Sequence, residues 1–148
     1  MELLLSSDQM DFKRYCRDFA RDHLEPLAEK HGETDQVPRD MVARMAEAGF
    51  FNLLVPEDLG GRGIKAVPIC LAREAFAGVY CPADVTLAMQ GLGGYPIYLG
   101  GNREQREKFL VKIGRGELLT TFALTEPQAV SDVNAVESTA QAVDGGCR

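Results

Sequence analysis

The residues with the clearest chemical potential lie in one decapeptide, residues 124–133, of sequence Leu-Thr-Glu-Pro-Gln-Ala-Val-Ser-Asp-Val. It presents the hydroxyls of Thr125 and Ser131, together with backbone N–H groups, where an extended run ends. Pro127 fixes its own φ and biases Glu126 toward an extended conformation, so the loop begins stiff. The following Ser-Asp pair can form a turn through local side-chain bonds. By composition alone, a plain loop that leaves a strand is an equally good interpretation.

The elements before this loop have a helical pattern. Apolar residues recur at helical spacing in five segments. Asp8 is the expected N-cap of the first, and Pro26 should bend that helix near its end because proline lacks a backbone donor. Gly49 is expected just past the end of the second segment, where φ is commonly positive. The five segments run over residues 8–31, 38–48, 67–79, 83–99 and 103–113.

The fourth segment, residues 83–99, is apolar nearly all round, which is typical of a helix buried on several sides. Gly91, Gly93 and Gly94 weaken it as an isolated helix. Their presence therefore indicates close packing, or contact with something other than a side chain.

From Leu118 the apolar period changes from helical to extended. Leu118–Leu124 is predicted to be one strand and Glu137–Val143 a weaker second strand. The chain is thus expected to be mainly α, with a helical domain over residues 1–117 and the start of a β-domain over residues 118–148. A return strand would be expected near residues 145–148.

Bulk composition restricts the class of protein. The chain has 148 residues, 45% apolar and 26% charged, which suits a globular domain with a real core. Its net charge of −6 argues against a nucleic-acid partner, because nothing forms a basic stripe. No apolar run approaches the roughly 18 residues of a membrane span, and the N-terminus has no secretory or mitochondrial leader pattern. A cytoplasmic location is the default expectation.

Two further patterns offer chemistry that the sequence does not complete. Cysteine ligands for a metal usually come in Cys-x-x-Cys pairs or beside histidines, and no such spacing occurs, so no metal site is expected. The glycine-rich loop over residues 60–63 lacks the Lys-Ser/Thr ending of a phosphate-binding loop and is interpreted as structural. The cysteines are Cys16, Cys70, Cys81 and Cys147.

Three ordered motifs resemble the acyl-CoA dehydrogenase family, and the resemblance covers essentially the whole chain. Residues 55–61, Val-Pro-Glu-Asp-Leu-Gly-Gly, look like the family's Pro-Glu-x-x-Gly-Gly loop. Residues 101–110, followed by Gly116-Glu117, are similar to its Gly-x-x-x-Gln-x-x-x-aromatic-Leu…Gly-Glu segment. The decapeptide resembles its Thr-Glu-Pro…Ser-Asp flavin loop. The resemblance implies the family's N-terminal helical bundle followed by the first strands of a truncated β-domain.

The resemblance also implies a chemistry. Enzymes of this family bind FAD, remove the α-proton of an acyl-CoA thioester and pass its β-hydride to flavin N5. By position, Phe122, Leu124 and Thr125 correspond to contacts of the isoalloxazine ring. Ser131 corresponds to a contact of the cofactor phosphates and of the thioester substrate. Helix positions corresponding to the lining of the acyl tail, for which plain packing is an equal alternative, are Val85, Ala88, Met89 and Leu92.

The chain departs from the family pattern at Val130, where glycine is usual, and at Gln128, where the residue is usually small. A positive φ at either position would strain the backbone. The family's catalytic carboxylate and its C-terminal helical domain correspond to nothing in this sequence, so no catalytic residue is assigned and the chain alone is expected to be inactive. An electron-transfer acceptor and homo-oligomerisation are expected of a complete enzyme. A subunit of a split enzyme and a non-catalytic helical module that binds a partner remain alternatives.

Overall fold

A computed structural model describes residues 4–32 and 34–148. These residues form six α-helices followed by a tail with a small antiparallel sheet, so the predicted mainly-α fold is confirmed. None of the described helices is long and apolar enough to cross a membrane. The helices are α1 (Ser7–Phe19), α2 (Glu25–His31), α3 (Arg39–Glu47), α4 (Ala66–Ala77), α5 (Cys81–Gly100) and α6 (Arg103–Gly114), and the strands are β1 (Ala142–Val143) and β2 (Gly146–Cys147).

The first predicted helix is one rod with a widened turn. Its N-cap is Ser6 and not Asp8: the Ser6 hydroxyl accepts the N–H of Gln9, while the Gln9 side chain accepts the N–H of Ser6 at 3.0 Å. This reciprocal pair satisfies two donors at the helix end, which the Asp8 side chain does not. A π-helical turn over Ala20–Leu24 separates α1 from α2. It ends two residues before Pro26, the residue predicted to disturb the helix, which lies in the first turn of α2.

The core lies where α1, α4 and the segment after α3 meet. Phe50 packs with its ring centroid 4.6 Å from that of Phe19 and 4.7 Å from that of Phe76. Such tilted and edge-on contacts stabilise a core beyond the area they bury. α1 packs on α4, α4 on α5 and α5 on α6, so the helices form the expected bundle. Other fully buried core members are Leu24, Met41, Met45 and Leu87.

Ion pairs with Asp40 connect the end of α2 to the start of α3. Asp40 accepts a hydrogen bond from Lys30 at 2.7 Å and lies 3.0 Å from the imidazole of His31. These partners hold the pKa of Asp40 well below its usual range. The predicted polar break here includes Glu33, which lies outside the described residues. Gly49 follows α3 with φ +75°, as predicted for a residue past a helix end.

The glycine-rich loop is a tight connection. The N–H of Gly61 donates to Pro56 O and the N–H of Gly63 donates to Val55 O, each at 3.0 Å. A Cβ on Gly61 would overlap the carbonyl of Val55, so only glycine fits there. Because these amides are used within the loop, they do not form an anion cradle, in agreement with the structural interpretation.

The tail differs from the prediction. Leu118–Leu124 was predicted to be a strand, yet the segment forms no ladder with any described residue, so this prediction is wrong. An alternating pattern makes a chain extended, but a strand also needs a partner. Of the second predicted strand, only β1 pairs, with β2 across a turn at Gly145, so the return strand is present.

Candidate functional site

One buried side chain fixes the point where the tail leaves the bundle. Gln90 of α5 is 1% exposed. Its amide nitrogen donates to Leu118 O at 2.9 Å, and its oxygen accepts the N–H of Thr120 at 2.7 Å. The Thr120 hydroxyl donates in turn to Met89 O at 2.9 Å. Gly93 lets the tail lie this close to α5, because a Cβ at this position would overlap the Thr120 side chain. The predicted close contact at this glycine is therefore confirmed.

An apolar groove of about 510 Å³ lies beside this anchor. α5 contributes Ala88 and Leu92, and the tail contributes Phe122, two residues after the Thr120 anchor. Leu92 and Phe122 are 45% and 48% exposed, so apolar surface is available to a ligand or to a covering segment. The full lining consists of Leu54, Ile64, Ile69, Arg73, Leu87, Ala88, Gly91, Leu92, Tyr95, Pro96 and Phe122.

Arg73 is the charged member of this lining. Its guanidinium donates to both carboxylate oxygens of Asp84, at 2.6 and 3.0 Å. These bonds raise the pKa of Arg73 and join α4 to α5 along the groove. A forked pair of this kind is geometrically fixed, so the groove is apolar along most of its wall and carries one oriented charge pair at its edge.

The structure brings only some of the predicted acyl-lining residues together. Ala88 and Leu92 share the groove with Phe122. Val85, also predicted there, lines a separate depression with Val79 and Pro82. Met89 is half-buried and its carbonyl binds Thr120. The helix is also less buried than predicted, since its large apolar side chains Val85, Leu92, Tyr95 and Leu99 are exposed within this chain.

The predicted cofactor residues of the tail are open. Phe122 and Leu124 are 48% and 37% exposed. The hydroxyls of Thr125 and Ser131 have no hydrogen-bond partner within the part of the chain that the structure describes. The backbone N–H and C=O groups of residues 121–125 are likewise unpaired there. This segment therefore combines exposed apolar side chains with hydroxyls and amides that are free to bind a ligand.

The loop after Thr125 is organised by its own hydrogen bonds. Glu126 and Ala129 exchange two backbone bonds of 3.1 Å, which close a tight turn. Asp132 accepts the N–H of Asn134 at 3.0 Å and begins a short 3₁₀ turn. No described residue other than glycine has a positive φ. The strain expected at the two departures from the family pattern is therefore absent, because both positions adopt ordinary backbone angles.

Comparison with known proteins decides the family. The sequence model described as "Acyl-CoA dehydrogenase, N-terminal domain" matches residues 6–117. The chain belongs to the acyl-CoA dehydrogenase family. The motifs around residues 55–61 and 101–110 lie inside that match, so the resemblance predicted from them is confirmed.

Relatives in this family include both dehydrogenases and reductases. A 3-(aryl)acrylate reductase of Clostridium sporogenes is 37% identical over 130 residues, which cover 87% of this chain and 34% of the relative. A chain in a structure described as the electron transferring flavoprotein of Acidaminococcus fermentans is 34% identical with a TM-score of 0.82, covering 95% of this chain and 37% of that one. The acyl-CoA dehydrogenase of Bacillus anthracis complexed with FAD is 32% identical with a TM-score of 0.77, covering 93% and 24%. This chain thus spans about a third of the length of the curated relative.

Two site residues escaped the sequence reasoning. Gln90 was passed over inside an apolar helix, although a polar side chain in such a helix must find hydrogen-bond partners if it is buried. Arg73 was passed over because its carboxylate partner is eleven residues away, on the next helix. The signal for Gln90 was present in the sequence, whereas that for Arg73 required the helix packing.

Proposed function

We propose that this chain forms part of the FAD and acyl-CoA site of a flavin-dependent enzyme that introduces or removes an α,β double bond in an acyl-CoA thioester. The observation that carries the proposal is the apolar groove shared by Ala88, Leu92 and Phe122, with Phe122 three residues before Thr125. The FAD complex of the B. anthracis relative supports the choice of cofactor.

In this proposal the residues of the chain bind and orient. Ala88 and Leu92 hold the acyl tail and exclude water from it. Phe122, Leu124 and Thr125 contact the flavin ring, and Ser131 donates its hydroxyl to the cofactor phosphates and borders the thioester. Bound FAD supplies the hydride-accepting chemistry. We assign no general base to this chain.

The remaining parts of the proposal concern organisation. We place a domain boundary between residues 117 and 118, where the Gln90 anchor fixes the first residues of the tail. The 148-residue chain by itself is expected to show no acyl-CoA-driven dye reduction, because loss of a general base alone costs about 10²–10⁴-fold in rate. The A. fermentans relative supports an electron-transferring flavoprotein as the redox partner of the complete enzyme, which is expected to be a homo-oligomer.

The test is a chimera in which this chain replaces the corresponding segment of the B. anthracis relative. The chimera is expected to retain FAD, measured by its bound-flavin absorbance. Ser131→Ala should weaken FAD binding about 10- to 100-fold, because hydrogen bonds to charged groups are the stronger class. Thr125→Ala should weaken it by about 2- to 10-fold, as for a neutral bond. Thr139→Ala, an exposed hydroxyl in the same tail, is the matched control and should change nothing.

A chimera that folds but binds FAD equally well with and without the Ser131 hydroxyl would refute the cofactor assignment. The alternative is a helical module that binds a partner protein. The only observation in its favour is the exposed apolar residues of α5. It predicts that Leu92→Ser abolishes partner binding while leaving FAD retention in the chimera unchanged. In the proposed enzyme, Leu92→Ser would instead weaken acyl-CoA binding.

A further inference from the structure

The carboxylate of Glu126 makes more hydrogen bonds than its exposed setting requires. It accepts the backbone N–H of Glu137 at 2.9 Å, that of Ser138 at 3.2 Å and the side-chain amide of Gln128 at 2.9 Å. We call these three contacts the Glu126 bridge. The contacts with Glu137 and Ser138 span eleven and twelve residues, whereas the contact with Gln128 is local.

The bridge encloses the loop that contains Ser131. On one side of Ser131 is the tight turn closed by Glu126 and Ala129, and on the other is the 3₁₀ turn capped by Asp132. Each turn is held by hydrogen bonds within itself, but these bonds do not fix the position of one turn relative to the other. The bridge supplies that constraint, because it ties the residue that follows Thr125 to the chain beyond the second turn.

We propose that Glu126 is a positioning residue, whose carboxylate fixes Ser131 relative to Thr125 by closing the loop between them. This role rests on the proposed function of those two hydroxyls in cofactor binding. A flexible loop would have to be ordered on binding, at a cost in affinity, whereas a closed loop presents both groups already in place.

The electrostatics of the bridge agree with this role. Hydrogen bonds from Ser138 and from the backbone of Glu137 hold the pKa of Glu126 below its ordinary value. The groups facing the carboxylate are the Ser138 hydroxyl, the backbone amides of Glu137 and Ser138 and the side-chain amide of Gln128. All of these are uncharged, and no described cation pairs with the carboxylate. Asp132 and Glu137 are the other carboxylates of the loop, and Asp132 is engaged with the N–H of Asn134.

The experiment is amide hydrogen exchange and ¹⁵N relaxation on the 148-residue chain, which need no flavin. In wild type the amides of Glu137 and Ser138 should be protected about tenfold to a hundredfold, as for bonds to a charged acceptor. Glu126→Ala should remove most of that protection and lower the order parameter at Ser131 below about 0.6. Glu126→Gln keeps one acceptor oxygen and should remove the protection only in part. Glu137→Gln, which removes a charge from the same loop but keeps its backbone N–H, is the matched control.

A pH titration separates the bridge from general loop structure. Because the pKa of Glu126 is lowered, the bridge is present above the ordinary value of 4.5 and should be lost only as the pH falls through the lowered value. Glu137→Gln should leave that profile unchanged. If the two amides exchange freely in wild type, or stay protected in Glu126→Ala, the inference is overturned. Neither outcome touches the proposed function, which the FAD content of the chimera decides separately.

Discussion

Replacing Gln90 by leucine removes the anchor between α5 and the tail while nearly conserving side-chain volume. The substitution leaves the Thr120 N–H and the Leu118 carbonyl without the partners that now lie at 2.7 and 2.9 Å. Leucine gains a favourable burial at a position that is 1% exposed, so the main change is the loss of hydrogen bonds.

The size of the effect follows from those two groups. A buried polar group left unsatisfied costs about 1–3 kcal/mol, and both groups here are only partly buried, so the lower half of that range applies. The expected loss in free energy of unfolding is about 2–4 kcal/mol for the pair. For a chain of 148 residues this corresponds to a fall in Tm of about 6–12 °C.

The assay is thermal unfolding followed by far-ultraviolet circular dichroism, together with exchange of the Thr120 amide. Gln90→Glu, which keeps an acceptor for Thr120 but presents a carboxylate to the Leu118 carbonyl, should cost at least as much. Gln141→Leu replaces an exposed glutamine of the tail and should stay within about 0.5 kcal/mol of wild type. If Gln90→Leu leaves both Tm and the exchange of Thr120 unchanged, Gln90 does not anchor the tail.

Two further outcomes test the burial of Cys16 and the tight packing of the loop at Gly61. Burial raises the pKa of Cys16 to about 12. A thiol reagent at neutral pH should therefore modify the three exposed cysteines of the native chain and reach Cys16 only after denaturation. Rapid modification of all four thiols in the native state would contradict the burial of Cys16. Gly61→Ala places a methyl group against the Val55 carbonyl and should destabilise the chain by about 2 kcal/mol or more through backbone displacement. In the control Gly100→Ala the added Cβ meets no other atom, so the stability should be unchanged or higher. Urea unfolding measures both variants.

The sequence was a good guide wherever a local pattern determines structure. Apolar residues at helical spacing predicted five helical segments, because a helix can be recognised from its own apolar face and from the residues at its ends. Gly49, which has a positive φ just past the end of α3, is an example of such an end residue. The Leu118–Leu124 segment shows the limit. Its pattern predicted a strand, but whether a segment pairs as a strand depends on residues far away in sequence. The same holds for the groove, because Ala88 and Phe122 meet only through the packing of the tail on α5.

A segment without ladder partners must have its backbone groups satisfied in another way, and this tail shows where that happens and where it does not. Gln90 satisfies the amide of Thr120, and Glu126 satisfies those of Glu137 and Ser138. Between these two side chains, residues 121–125 keep their backbone groups unpaired within the described part of the chain. The unpaired groups therefore lie between two positions at which a side chain binds the backbone of the tail. A ligand or strand that pairs with these groups in the folded chain but not in the unfolded chain should raise the stability of the whole chain.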